Sequence, residues 1–504
     1  MKLFKIALIF SLILIPAFAD TIPGGDVFGV WFADSSPYYI AGNITVQATD
    51  TLVIEPGVLV DFLGGYSFTV NGVLEALGSA SDSIHFFSED TVTGWSGIIC
   101  VEVCDSPQLS YCTVSYADCG IEAYPGLSSV SISHCRFSRN TRALVWYGIT
   151  SLQVDDCAFS DNSATYGAAI AIYIASGPVE IAGCLFENNA ASTYGGAMSI
   201  QTGSDNNISI SDCAFLNNTA EDKGGAIAAF LMYSSLLIIE NCTFAENTAD
   251  GMNHNEGGGA IWASYLPDFS ISYCCFYDNW AYYGSAVNLA SDYGDSNLDL
   301  DHCTFWSTDG SLEIFGVGSS NTILDASNCI FTGADYAIAN HANMTLTVSY
   351  SDFHNNDGDI EDPPSGFGVL DRVNYNGDSC DCYYDIFMDP VFADTANDDY
   401  HLLANSPCID AGDPTYPYDP DSTIADMGCY WFDQTGIAER PVTKSVRHGY
   451  TGATVFAGPL VLPQDKNCKI FDITGREIHI LNPAPGIYFI EADNKIIQKV
   501  VKIR

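Results

Sequence analysis

The sequence predicts an all-β chain built mainly as a solenoid of short strands, and three observations carry that prediction. The first is a motif that keeps returning: Cys-x-Phe, then Asn, then Gly-Gly-Ala or a close variant. It reads Cys157, Phe159, Asn162 and Gly167; Cys184, Phe186, Asn189 and Gly195-Gly196-Ala197; Cys213, Phe215, Asn218 and Gly224-Gly225-Ala226. It continues with Cys242, Phe244, Asn247 and Gly258-Gly259-Ala260, and with Cys274, Phe276, Asn279 and Gly284. Cys135, Cys303 and Cys329 repeat the Cys-x-Phe, Cys112 opens the series with Val114 in the Phe place, and Ser351-Asp352-Phe353 is a worn copy. Neighbouring anchors lie 22 to 32 residues apart. Units of that length cannot bury an apolar face alone and must stack. The second observation is alternation with period two, as in Val130-Ser131-Ile132-Ser133 and Ile208-Ser209-Ile210-Ser211, the pattern of half-buried strands. The third is punctuation by Gly, Asn and Asp, with no helical period sustained between anchors.

Coils stacked in register at about 4.8 Å place equivalent side chains above one another. The Cys, Phe and Asn are therefore expected as columns: two apolar ones inside, and a row of amides at a turn. Asn suits a left-handed turn position and its amide can bond along the stack. The glycines fit a corner where a Cβ would clash.

Phe-x-x-Asn followed by Gly-Gly-Ala-Ile resembles the repeat of chlamydial polymorphic outer-membrane proteins, and more broadly the pattern is similar to right-handed parallel β-helix proteins. The resemblance implies a right-handed parallel β-helix over roughly residues 40–350, and an adhesive role.

From the start of the chain, Lys2 and Lys5 precede the apolar run Ile6–Ile15, and Ala17-Phe18-Ala19 follows. Residues 1–19 read as a secretory signal peptide. Residues 20–354 are the expected β-helix, with 20–40 as its N-terminal cap over open strand edges. The strands Leu52–Val58, Gly72–Gly78 and Ile84–Phe86 open the stack. No later apolar stretch is long enough to cross a membrane.

Acidic residues number 62 against 17 basic ones, which argues against nucleic acid or an anionic membrane surface as partner. Eighteen cysteines in an exported chain suggest disulfides. Nine of them hold the repeat anchor, however, and there a thiol acts as a small buried hydrophobe. Among the others, Cys408 and Cys429 are the expected bridge. Cys380-Asp381-Cys382 and Cys100 with Cys104 lack the second ligand pair that zinc requires.

Past residue 353 the rhythm breaks. Residues 355–430 hold seventeen acids and one cation, Arg372. Asp389-Pro390-Val391-Phe392, Asp399-Tyr400-His401-Leu402, Ser406–Asp413 and Asp426-Met427-Gly428-Cys429-Tyr430 resemble the choice-of-anchor module that follows β-helix repeats in secreted bacterial proteins. In that family the Cys429 place usually holds a small or apolar residue. The resemblance implies a C-terminal cap over 355–435. Residues 436–455 read as a linker. Ten of the seventeen cations then fall between Arg440 and Arg504. Asp472-Ile473-Thr474-Gly475-Arg476 and Pro485-Gly486-Ile487-Tyr488-Phe489 resemble the type IX secretion sorting domain, which implies a small β-sandwich over 456–504, export through the periplasm to the outer-membrane surface or beyond, and the type IX machinery as a partner.

The chemistry-bearing residues form no recognisable catalytic or cofactor-binding set. Between residues 21 and 430 the cations are Arg136, Arg139, Arg142, Lys223 and Arg372, few for gripping a polyanion. The three arginines read as a solvated turn. Asp155-Asp156 is an adjacent acid pair in the repeats, and Asp156 sits in a slot before the anchor that His134, Asp212, Asn241, His302 and Asn328 fill elsewhere. Calcium is the cofactor the acids would suit, with Asp410, Asp413 and Asp426 as the ligand candidates; a solvating acidic surface is the alternative. Tyr282 and Tyr283 are candidates for stacking on sugars. The expected function is binding at the cell envelope, to carbohydrate or a cell surface, or a structural role there. The rival is a polysaccharide lyase or glycoside hydrolase, which a groove lined by clustered Asp, Arg and aromatic residues would favour.

Overall fold

A computed structural model describes residues 20–101, 107–126, 129–148, 151–173, 177–202, 207–231, 235–266, 268–290, 297–307, 312–316, 322–340 and 344–435. It also describes strands at 454–456, 468–472, 477–478, 486–492 and 495–502. The expected signal peptide lies outside the described residues, as does most of the expected linker.

The repeat becomes a right-handed parallel β-helix with three long sheets. An anchor sheet of 14 strands runs from Asp20–Ile22 to Asp352–His354 and carries each Cys-x-Phe. A corner sheet, also of 14 strands, runs from Gly25–Asp26 to Gly358–Ile360 and takes up the residues after each glycine corner. A leading sheet of 13 strands, from Gly29–Trp31 to Thr345–Ser349, feeds the next anchor. In five central coils a short fourth strand, from Ser163–Tyr166 to Trp280–Ala281, bridges the Asn and the glycines. The register is one-to-one through the repeats: Phe159 pairs with Phe186, Phe186 with Phe215, and Phe215 with Phe244.

That register builds the expected columns. The rings of Phe137, Phe159, Phe186, Phe215, Phe244, Phe276, Phe305 and Phe331 stack at 4.6–5.2 Å, within 8° of parallel. Each is fully buried, which contributes about 1.5–3 kcal/mol per ring. Cys157, Cys184, Cys213 and Cys242 are buried beside them as free thiols. The backbone N–H of Cys157 donates to Cys184 Sγ, and that of Cys184 to Cys213 Sγ, both at 3.4 Å. Burial pushes the Cys157, Cys184 and Cys213 thiols well above their usual range.

The amide row differs from expectation in one respect. Asn162, Asn189, Asn218 and Asn247 are buried ladder residues, and the left-handed residue is the one before each: Asp161, Asn188, Asn217 and Glu246, with φ of 54–57°. The ladder uses every amide atom. Asn218 Nδ2 donates to Phe186 O at 3.0 Å and to Asn247 Oδ1 at 2.9 Å, and Asn218 N donates to the same Oδ1 at 3.0 Å. A second left-handed slot precedes the anchor Cys, at His134, Asp156, Asp212, Asn241, His302 and Asn328, so these polar residues are held there by backbone geometry. The glycine corners are as tight as expected. A Cβ on Gly224, at φ +62°, would lie 2.1 Å from Ile227 O.

The ends also differ from expectation. Residues 20–31 form the first coil and not a separate cap: Asp20–Ile22, Gly25–Asp26 and Gly29–Trp31 each pair with the strand one coil on. At the other end the stack runs past residue 354 to Gly358–Ile360. The acidic segment is a cap in the physical sense. Ile386 N donates to Ser351 O and Phe353 N to Ile386 O, which adds a last rung. Phe367 and Phe387 close the Phe column, their ring centroids 5.1 and 6.1 Å from Phe353. The chain then turns back along the outside of the anchor sheet. Tyr400 packs on Tyr277 and Trp306, and Gly428 N donates to Asn328 O. The described C-terminal strands form one five-stranded sheet around Ile470, Tyr488, Ile490 and Val500. No helix among the described residues is long and apolar enough to cross a membrane.

Candidate functional site

The outer face of the corner sheet collects side chains that the repeat does not require. In register, Glu122 opposes Val145 and Val145 opposes Ala171, while Trp146 opposes Ile172 and Tyr147 opposes Tyr173. Trp146 and Ile172 belong to the interior core, so alternation turns Tyr147 and Tyr173 outward. Tyr124, just past Ala123, continues the line. The three rings form a ladder: Tyr124 to Tyr147 at 5.6 Å and Tyr147 to Tyr173 at 5.2 Å, 23° and 13° from parallel. Their floor is the buried trio Cys119, Val145 and Ala171. Tyr124 is 38% exposed and the other two are half-buried.

Polar groups flank the ladder. Arg142 opens the strand that ends in Tyr147 and pairs in register with Cys119. Asp118, Glu122 and Tyr147 lie near enough for their charges to favour its charged form. Burial, and then the Glu122 charge, push the Tyr147 phenol upward. Arg142 was expected in a solvated turn with Arg136 and Arg139. Instead the three separate: Arg136 lies in an anchor strand, Arg139 occupies a left-handed turn at φ 58°, and Arg142 joins the corner sheet.

Where the corner sheet meets the short fourth strands, a second aromatic group gathers. Tyr166 lies 5.3 Å from Tyr194, Tyr194 lies 5.7 Å from Phe230, and Phe230 lies 4.5 Å from Trp262. The Lys223 ammonium sits 4.3 Å from the Trp262 ring and 5.6 Å from that of Tyr194, a cation held on aromatic faces.

Of the residues expected to hold calcium, Asp410 and Asp426 are neighbours, and all three carboxylates serve the turns of the cap. Asp426 accepts the backbone N–H groups of Asp410 at 2.7 Å and Phe432 at 2.6 Å. Asp413 accepts both the N–H and the hydroxyl of Thr415 at 2.8 Å. Asp410 Oδ2 accepts from Gln434 Nε2 at 2.8 Å. These carboxylates pin the turns of the cap, and no group of three His, Cys, Asp or Glu among the described residues is arranged to hold a metal ion. The expected Cys408–Cys429 bridge is not formed either. The two cysteines lie in different clusters; both are free thiols here, as Cys275 is. Cys408 packs with Ile330, Cys380 and Met427, its Sγ 3.5 Å from Asp352 Oδ2, whereas Cys429 packs with Cys275, Tyr277 and Tyr400. Tyr282 is 50% exposed but sets its ring edge-on to Trp280, and Tyr283 packs on His254, so neither joins the ladder.

Sequence reasoning passed over Tyr124, Tyr147 and Tyr173 because the anchor motif does not include them. Their signal was a Tyr at, or one residue past, the end of three successive corner strands, just before a loop.

The match to a family model agrees with the fold. The family model described as right handed beta helix region matches residues 78–229 and 147–325. Among solved structures the chain is similar to pectate lyase Pel9A, at 12% identity and a TM-score of 0.28, with 82% of this chain and 86% of that one covered. No curated protein sequence matches.

Proposed function

We propose that the chain is an exported surface protein that binds carbohydrate along the outer face of its corner sheet, in an adhesive or structural role at the envelope. The observation that carries this reading is the Tyr124–Tyr147–Tyr173 ladder, with one ring per coil at near-constant spacing. Rigid amphipathic rings give large contact area with little conformational entropy to lose, and their edges keep a hydroxyl in water. A regular row of them suits a polymer of regular repeat. Arg142, Asp118 and Glu122 beside the row supply the few polar groups that fix orientation. The signal-peptide pattern and the sorting-domain resemblance support export by a type IX route. A panel of soluble and insoluble polysaccharides tests the reading: binding that weakens about tenfold or more in Tyr147→Ala supports it, and full-strength binding in that variant, or none by the parent chain, overturns it.

A second reading rests on the same patch. A guanidinium, two carboxylates and an aromatic row are what a lyase or hydrolase of an acidic polysaccharide needs near the bond it cleaves. Release of unsaturated or reducing ends, abolished in Arg142→Lys, would favour this reading over simple binding.

A further inference from the structure

The two cysteines that the structure brings together are Cys275, beside the anchor in its coil, and Cys429, in the cap. Cys275 faces out of the anchor sheet and pairs in register with Thr304. The returning segment of the cap crosses that column: Cys429 N donates to Thr304 Oγ1 at 3.0 Å. The two side chains meet inside one buried cluster with Tyr277 and Tyr400. Cys275 is 2% exposed and Cys429 is 7% exposed. Neither belongs to the interior column, where parallel Cβ vectors suit a disulfide poorly. Here one thiol comes from a sheet face and the other from a segment laid over it, so the pair is free of that stacking constraint.

We propose that Cys275 and Cys429 form a disulfide that fastens the cap to the side of the solenoid. The oxidant is a disulfide-bearing thiol carrier. One cysteine thiolate attacks its S–S bond and releases the first carrier thiolate, giving a mixed disulfide. The second cysteine thiolate then attacks the protein sulfur of that mixed disulfide and expels the other carrier thiol. Two protein thiols are oxidised, one carrier disulfide is reduced, and the two protons pass to the two released thiolates. Burial pushes the Cys275 thiol well above its usual range, so the exchange takes place as the segment settles, before the sulfurs are covered.

The test uses the full chain folded in the presence of glutathione disulfide, then alkylated in denaturant and cleaved before aspartate. Cys275 falls on the peptide 268–277, Cys429 on 426–432 and Cys408 on 399–409. The expected product is 268–277 joined to 426–432, two hydrogens lighter than the separate peptides. In Cys275→Ser, peptide 426–432 should appear fully alkylated, which excludes Cys274 as the true partner. Reduction should lower the melting temperature of the parent chain but not that of the Cys275→Ala/Cys429→Ala double variant. Recovery of both peptides alkylated from the parent chain, or of 426–432 joined to 399–409, would overturn the proposal. So would a cross-link that survives Cys275→Ser.

Discussion

Asn218 and Asn247 share one side-chain oxygen between two donors: Oδ1 of Asn247 accepts the Asn218 backbone N–H at 3.0 Å and the Asn218 side-chain amide at 2.9 Å. The same pair of bonds links Asn189 to Asn218 and Asn247 to Asn279. A buried polar row of this kind favours the fold only because each member is satisfied.

Breaking the row should therefore be costly. In Asn218→Ala, Phe186 O loses a donor and Asn189 N loses its acceptor, both in the interior. The expected loss is about 2–4 kcal/mol, read as a lower denaturation midpoint in urea.

The ring column gives a second prediction. Phe215→Ala leaves a cavity between Phe186 and Phe244, rings that stand 4.6 and 4.8 Å from it. Close packing above and below prevents collapse, so a loss of about 3–5 kcal/mol is expected, with Phe215→Leu recovering part of it in the same measurement.

Gly224→Ala tests the corner. At φ +62° the new Cβ would press on Ile227 O, 2.1 Å away. Backbone strain alone should cost about 1–3 kcal/mol, and thermal unfolding should show it even though the added group is a single methyl.

The cap should respond to pH in a defined direction. Burial raises Asp352 to about 8, Asp426 to about 7 and Asp419 to about 6. These folded-state values lie above the unfolded one, so the folded chain holds protons that the unfolded chain has released. The contribution is fully present below pH 4 and fades as pH climbs through 6 to 8. Melting should occur at a higher temperature at pH 5 than at pH 8.5. Asp352→Asn should flatten that difference and stabilise the alkaline side, on the order of 1–3 kcal/mol. A melting temperature that rises with pH over this window would contradict the assignment.

The interior was readable because it repeats. Cys157, Phe159 and Asn162 recur with their neighbours at fixed offsets, and stacking converts equal offsets into equal positions. What the repeat leaves free was harder to read. Tyr147 lies at the end of a corner strand, where the core places no demand, so its alignment with Tyr124 and Tyr173 appears only once the register is known. The contact between Cys275 and Cys429 depends on the route of a segment with no period at all. The expected pairing of Cys429 with Cys408 missed that the cap doubles back along the anchor sheet. Acid content alone likewise did not show that Asp413 and Asp426 each hold backbone N–H groups of the turns of the cap.

The amide row also has a direction. Every side-chain carbonyl from Asn162 to Asn279 faces the coil before it, so the bond dipoles add along the axis as they do in a helix. The row thus carries its own electrical polarity, its negative ends toward the first coils and its positive ends toward the last, so an anion would be favoured at one end of it and a cation at the other.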